Sequence, residues 1–274
     1  MGRRLIFDLG MHRGEDTEFY LNRGHDVVGV EANPQLAQLL QAKFSSEISS
    51  GQLHLVDKAI SDQPGKARFA INSVNSVWGT MSQAFIDRNQ QLGAPSEFIE
   101  VDTVSLDDLI RVYGTPYYLK ADVEGMDLTC VKALHRVTVR PRYVSLESAV
   151  TSSVAEIETA FDELAHLWVL GYRHFKYVDQ ARLRRLNGTL LDVEGLPLRY
   201  VYRQDSSGPF GEESPGKWRS IGSALIRMRA LILYQNTIGL GGRHHRTLGS
   251  KVGRRLYRYV NQSHSWYDLH ARMG

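Results

Sequence analysis

The chain has 274 residues, 42% hydrophobic and 23% charged, enough to bury a full core in one large domain or two small ones, as a soluble globular protein does. A single cysteine, Cys130, excludes an internal disulfide framework, and with no signal peptide in view a reducing cytoplasmic setting is expected. The net charge of +3 hides an asymmetry: from Lys217 onward eleven Lys/Arg accompany one acid, Asp268, giving +10, while the residues before it sum to −7. A basic tail on an acidic body implies either an anionic partner for the tail or docking of the tail on the body.

The first 34 residues read as one unit. An apolar run, Leu5-Ile6-Phe7, ends at Asp8 and enters a glycine turn from Gly10 to Gly14. A helix with acidic residues in its first turn (Glu15, Asp16, Glu18) follows, Gly24 stops it, and a buried-looking strand, Val27 to Val30, ends in Glu31. Strand, glycine turn, helix, strand and acid form the opening of a doubly wound α/β domain, in which the acid at the second strand tip takes ribose hydroxyls. The dinucleotide pattern G-x-G-x-x-G is absent, and the acids at the helix start oppose a pyrophosphate there. A cationic, phosphate-free nucleoside suits this turn, and S-adenosylmethionine is such a ligand. The alternative is a glycine turn that binds no nucleoside.

Pro34 suits the first position of the next helix, over residues 34–40. A third strand, residues 53–56, is followed by Asp57 and Ala59, placed to meet an adenine edge; Asp57 serves equally as a turn residue. Residues 66–72 alternate as a strand, and the polar loop around Trp78 is either a lid or substrate wall, or a loop under which Trp78 fills a gap. Another strand covers residues 97–101, and Ser105 caps a short helix carrying Leu106, Leu109 and Ile110. Residues 117–122 form a strand ending in Asp122-Val123-Glu124-Gly125, a helix with Cys130 follows, and the strand 143–146 ends in Glu147. A periodic helix over residues 153–170 and strands at 173–178 and 198–202 close the sheet. The Gly/Ser/Pro-rich stretch 205–216 is the expected boundary between a domain of residues 1–204 and a basic extension of residues 205–274, read as a cap over the active site. Helix-like stretches are expected at residues 220–234 and 248–260.

Five acids, Asp8, Glu31, Asp57, Asp122 and Glu147, thus stand at strand tips, where open α/β sheets hold ligands. Each also has the simpler role of a helix cap. Methyl transfer from a sulfonium needs alignment, and a hydroxyl nucleophile needs a proton acceptor or a metal. The candidates are Asp122, Glu124 and the tail's His270. Asp122 with Glu147 is a weak candidate pair for Mg²⁺. The paired His244 and His245 fit a solvated basic run better than a metal site.

The stretches FDLGMHRGEDTEFYLNRGHDVVGVEANP, VDTVSLDDLI and YYLKADVEGMD resemble FkbM-type S-adenosylmethionine-dependent methyltransferases. The shared features are the turn Asp8-Gly10-Gly14, the element Thr103-Ser105-Leu106-Asp107, and Lys120-Asp122-Glu124-Gly125, in matching order and spacing over roughly residues 5–150. Met11 and His12 replace the smaller residues more usual there. The resemblance implies a class I methyltransferase fold and transfer to a hydroxyl of a small molecule, a sugar or a secondary metabolite. The residues expected at the cofactor are Asp8, Gly10, Met11, His12, Gly14, Thr17, Glu31, Asn33, Asp57, Ala59 and Asp122.

Two other readings compete. The basic tail prompts a nucleic-acid methyltransferase, yet no Asn/Asp-Pro-Pro-Tyr/Phe tetrapeptide or catalytic-cysteine motif is present. A degenerate nucleoside fold acting as an adaptor would not need the full set of strand-tip acids. Arg227, Arg229, Arg254, Arg255 and Arg258 interleave with Leu, Ile and Tyr, as on a membrane-surface helix, although a helix docked on the acidic body accounts for them too. Arg227 and Arg229 also break the apolar run at residues 224–240, so no spanning helix is expected.

Overall fold

A computed structural model describes residues 2–151, 157–180, 183, 189–202, 206–237 and 266–274. In chain order the elements are β1 (Leu5–Leu9), α1 (Glu15–Asn22), β2 (Asp26–Glu31), α2 (Pro34–Lys43), α3 (Ser45–Ser49) and β3 (Leu53–Asp57). Then come β4 (Ala59–Ile60), β5 (Gly65–Asn72), α4 (Gln83–Gln91), β6 (Ser96–Val104), α5 (Leu106–Tyr113), β7 (Tyr118–Ala121) and α6 (Asp127–Ala133). The chain continues through β8 (Tyr143–Glu147), α7 (Ile157–Val169), β9 (Tyr172–Asp179), β10 (Thr189–Leu191), β11 (Pro197–Arg199), α8 (Ile221–Thr237) and β12 (Tyr267–Met273).

Seven strands make the central sheet, in the order β3-β2-β1-β7-β8-β12-β9. The first five run parallel, and β12 inserts antiparallel between β8 and β9, pairing Leu269 with Leu146 on one side and Tyr177 on the other. This is a doubly wound arrangement, with the order reversing at β1. The period of two along each strand sorts the two faces. Phe7, Leu9, Leu119, Val144, Leu146, Leu269 and Ala271 join the core cluster with α5, α6, α7 and α8. Ile6, Tyr118 and Tyr143 join the other cluster with Phe19 and Tyr20 of α1. β1, β2, β7 and β8 are buried on both faces, as parallel strands covered by crossovers must be.

The end of the chain departs from the sequence reading. Residues 267–273 are a strand of the main sheet, so this part of the expected extension is not a cap. Most of the expected boundary stretch is packed down: Ser206, Ser207, Phe210 and Ser214 are buried, and the Phe210 ring stacks on Tyr118 at 4.3 Å. Its glycines serve a strap that must turn sharply against the sheet, not a linker. β11 also fails to close the sheet, since among the described residues it pairs only with β10. β4, β5 and β6 form a separate three-stranded sheet, which with α4 makes up the insertion between β3 and β7. The start of the helix expected from residue 153, the helix-like stretch 248–260, His244, His245, Arg254, Arg255 and Arg258 lie outside the described residues.

Phe210→Ala separates strap from linker. A buried phenylalanine truncated to alanine costs about 3–5 kcal/mol, to be read as a lowered urea midpoint with unchanged slope; a linker residue would leave the midpoint where it was.

Candidate functional site

The glycine turn is fixed by the strands on either side of it. Gly10 has φ 85°, and a Cβ there would lie 1.9 Å from the Asp122 carbonyl oxygen, so β1 and β7 approach through this residue. The Gly10 and Met11 amides both donate to the Val30 carbonyl at 3.0 Å. The Met11 side chain is buried in the core against Gly29, where a Cβ would meet its sulfur at 2.1 Å. Met11 is therefore a packing residue, and its amide is already engaged. His12 adopts φ 51°, which aims its amide at Glu31. Gly14, with φ 75°, leads into α1.

Glu31 at the tip of β2 is held by two backbone donors: the His12 amide on Oε2 and the Asn33 amide on Oε1, both at 2.8 Å. Each oxygen keeps a lone pair for a further donor. Burial pushes its carboxyl up to about 7, against the two amides. Asn33 also caps α2, its Oδ1 accepting from the Gln35 amide at 3.0 Å.

Below the turn lies a buried ion cluster. Lys120 Nζ is 3.2 Å from Asp8 Oδ1, 3.4 Å from Asp16 Oδ2 and 3.3 Å from Asp122 Oδ2. Burial opposes the ammonium, but Asp8, Asp122 and Asp16 outweigh it and hold Lys120 well above the usual lysine range. Asp8 is fully buried and pushed up to about 6 by that burial, with Lys120 opposing. The buried Thr17 hydroxyl donates to Asp8 at 2.6 Å. Asp16 accepts from the Ser206 hydroxyl at 2.6 Å and the Ser207 amide at 2.9 Å, which ties the strap to α1. Asp8 and Thr17 thus brace the turn from beneath, where the sequence reading had them at the ligand.

The carboxyl edge of the sheet is crowded with acid. Burial, then the Asp122 charge, pushes Glu124 up to about 8, and Arg88 at 3.5 Å opposes this. Asp127 is raised to about 7 by burial and Asp122. Glu147 and Asp268 stand well above the carboxylate range, from burial first and then from their acidic neighbours. The Asp122 side chain keeps about a third of its surface exposed. Glu124, with φ 45°, is pinned by the insertion: its carbonyl accepts from the Thr80 hydroxyl at 2.6 Å. His12 Nε2 lies 2.8 Å from Ser76 Oγ, so the same insertion also reaches the glycine turn. The Trp78 loop is therefore a wall stitched to both tips.

The structure gathers Glu31, Asp122, Glu124 and Glu147 along one edge. His270 lies inside the sheet, between Ser145 and Lys176 in register, and burial pushes it down to about 3. It is Asp268, two residues earlier, that β12 delivers opposite Glu147. Asp57 is exposed beside Glu31 in register, and Ala59 is buried in β4 of the smaller sheet. Among the described residues no three His, Cys, Asp or Glu are grouped to hold a metal ion. Sequence reasoning missed the role of Lys120, although alternation along 118–122 places it on the face of Asp122. It also missed Asp16 and Asp268, whose partners are remote in sequence.

Residues 8–173 match the Methyltransferase FkbM domain, more than half of the chain, and the chain belongs to that family. It is a methyltransferase. Several solved structures match the chain at low similarity. Precorrin-6y C5,15-methyltransferase from Geobacter metallireducens GS-15 is 11% identical with a TM-score of 0.37, covering 100% of this chain and 81% of that one. The StiE O-MT is 8% identical with a TM-score of 0.42, at 98% and 68%. Geranyl diphosphate C-methyltransferase from Streptomyces coelicolor A3(2) is 10% identical with a TM-score of 0.38, at 99% and 73%. No curated protein matches the chain.

Lys120→Met leaves the buried Asp8 and Asp16 and the partly exposed Asp122 without their cation. Removing one partner of a buried ion pair costs about 3–5 kcal/mol. The expected outcome is a fall of that size by urea denaturation at neutral pH, shrinking as acid protonates the cluster; no fall would remove Lys120 from the centre of the account.

Proposed function

We propose that the chain transfers the methyl group of S-adenosylmethionine to a hydroxyl oxygen of a small molecule, a sugar or glycan or a secondary metabolite. The observation that carries the cofactor half is Glu31: a carboxylate at the second strand tip, oriented by the His12 and Asn33 amides, with a lone pair left on each oxygen for the two ribose hydroxyls. The acid-rich edge suits a cationic ligand and disfavours a phosphate. The residues present therefore fit this cofactor, which supplies an already activated methyl group.

The chain's own task is alignment and proton handling. Asp122 presents a partly exposed carboxylate backed by Lys120 at 3.3 Å, the best placed acceptor for the proton of the attacking hydroxyl. Glu124, raised to about 8, holds its own proton at neutral pH and donates a hydrogen bond instead. S-adenosylmethionine held at Glu31 would supply the methyl group, and Asp122 would take the proton of the attacking hydroxyl. The insertion, stitched to both tips, forms the acceptor wall. Among the described residues no group of three His, Cys, Asp or Glu stands behind a Mg²⁺ requirement.

Two substitutions check these roles. Glu31→Ala removes a charged acceptor worth about 1.5–3 kcal/mol, so S-adenosylhomocysteine affinity at pH 8 should fall roughly 10- to 100-fold by calorimetry. Asp122→Asn should lower transfer of a radiolabelled methyl group to hydroxylated acceptors far more than it lowers S-adenosylhomocysteine affinity. Equal losses would make Asp122 a structural residue, and label appearing only on amines would refute O-methylation.

A further inference from the structure

Helix α8 is docked by one face only. Ala224, Met228, Leu231 and Ile232 are buried in the core cluster with α7 and β9. Arg227 and Arg229 are both exposed. On the outer side Ile226, Ala230 and Leu233 follow the i, i+4, i+7 spacing of a single stripe, with Ile226 74% and Leu233 55% exposed. At 3.6 residues per turn Arg229 falls on one flank of that stripe, and Arg227 with the exposed Tyr234 on the other. The helix itself carries no acid: its charged residues are Arg227 and Arg229.

We propose that the outer face of α8 is a docking surface for an anionic lipid bilayer. An apolar stripe flanked by arginines, on a helix without acids, is the pattern of a helix lying in the headgroup plane: the apolar side chains enter the acyl boundary and the guanidinium groups reach the phosphates. No helix among the described residues is long and apolar enough to cross a membrane, so the contact is peripheral. A helix face whose charges are arginines alone matches an extended surface of a single charge better than a protein partner, whose contact surfaces mix signs. A nucleic acid would use the arginines but give Ile226 and Leu233 nothing to do. The surface lies on the α7/α8 side of the sheet and is independent of which hydroxyl is methylated.

The test is co-sedimentation of the full chain with vesicles of phosphatidylcholine alone and with one quarter phosphatidylglycerol. Binding is expected only to the anionic vesicles, weakening as salt rises. The pairs Ile226→Ser/Leu233→Ser and Arg227→Glu/Arg229→Glu should each lower the bound fraction roughly fivefold or more. Circular dichroism and S-adenosylhomocysteine affinity report that both variants are folded. No binding by the parent chain overturns the proposal. So does equal binding by the Ile226→Ser/Leu233→Ser variant, which would leave only charge as the cause. Binding to polyuridylate without binding to vesicles would assign the surface to nucleic acid instead.

Discussion

One buried ammonium connects the parts of this molecule. Lys120 Nζ stands between Asp8 of β1, Asp16 of α1 and Asp122 at the end of β7. A cation this deep is tolerated only where its desolvation is offset by close opposite charge, and here three carboxylates do so at once. The cluster also reaches the strap, because Asp16 collects Ser206 and Ser207. Strand order, the position of α1 and the path of residues 206–216 therefore meet at one side chain. The glycine turn rests directly above it, braced through Asp8 and Thr17.

That arrangement sets the electrostatics of the edge. One buried lysine does not neutralise Asp8, Asp16, Asp122, Glu124, Asp127, Glu147 and Asp268 together, so several of these acids are pushed upward by burial and by one another. The outcome is an edge on which some carboxyls keep their protons while Asp122 stays partly exposed beside its cation. Groups with such divided behaviour are the raw material of acid–base chemistry. The same surplus of acid favours a sulfonium ligand over a phosphate.

Much of this was legible in the sequence, because the parallel half of the sheet is built from local signals. The Gly10–Gly14 turn, Pro34 at a helix start, Ser105 as a cap and the acids at strand tips all depend on neighbours a few residues away. The Ser105 hydroxyl does accept from the Asp108 amide at 3.2 Å. What escaped depends on distance along the chain. β12 pairs with strands formed about 90 and 120 residues earlier, and no local pattern distinguishes it from a tail. The 205–216 stretch has linker composition, but its serines and glycines are the small, turn-forming residues needed to lie against Asp16 and Tyr118. His270 was drawn toward the site by its residue type, and antiparallel pairing put Asp268 at the edge in its place.

The central claim is that Glu31 receives the ribose as a carboxylate whose charge has been held back by burial. Calorimetric titration of S-adenosylhomocysteine at about pH 6, in two buffers of different ionisation enthalpy, tests it directly. With Glu31 titrating near 7, it is mostly protonated at that pH, and a ligand that donates two hydroxyls to the charged form must expel the proton. The account predicts release approaching one proton per ligand bound, disappearing in Glu31→Gln along with most of the affinity. Binding without proton release, and equally tight in Glu31→Gln, would contradict it.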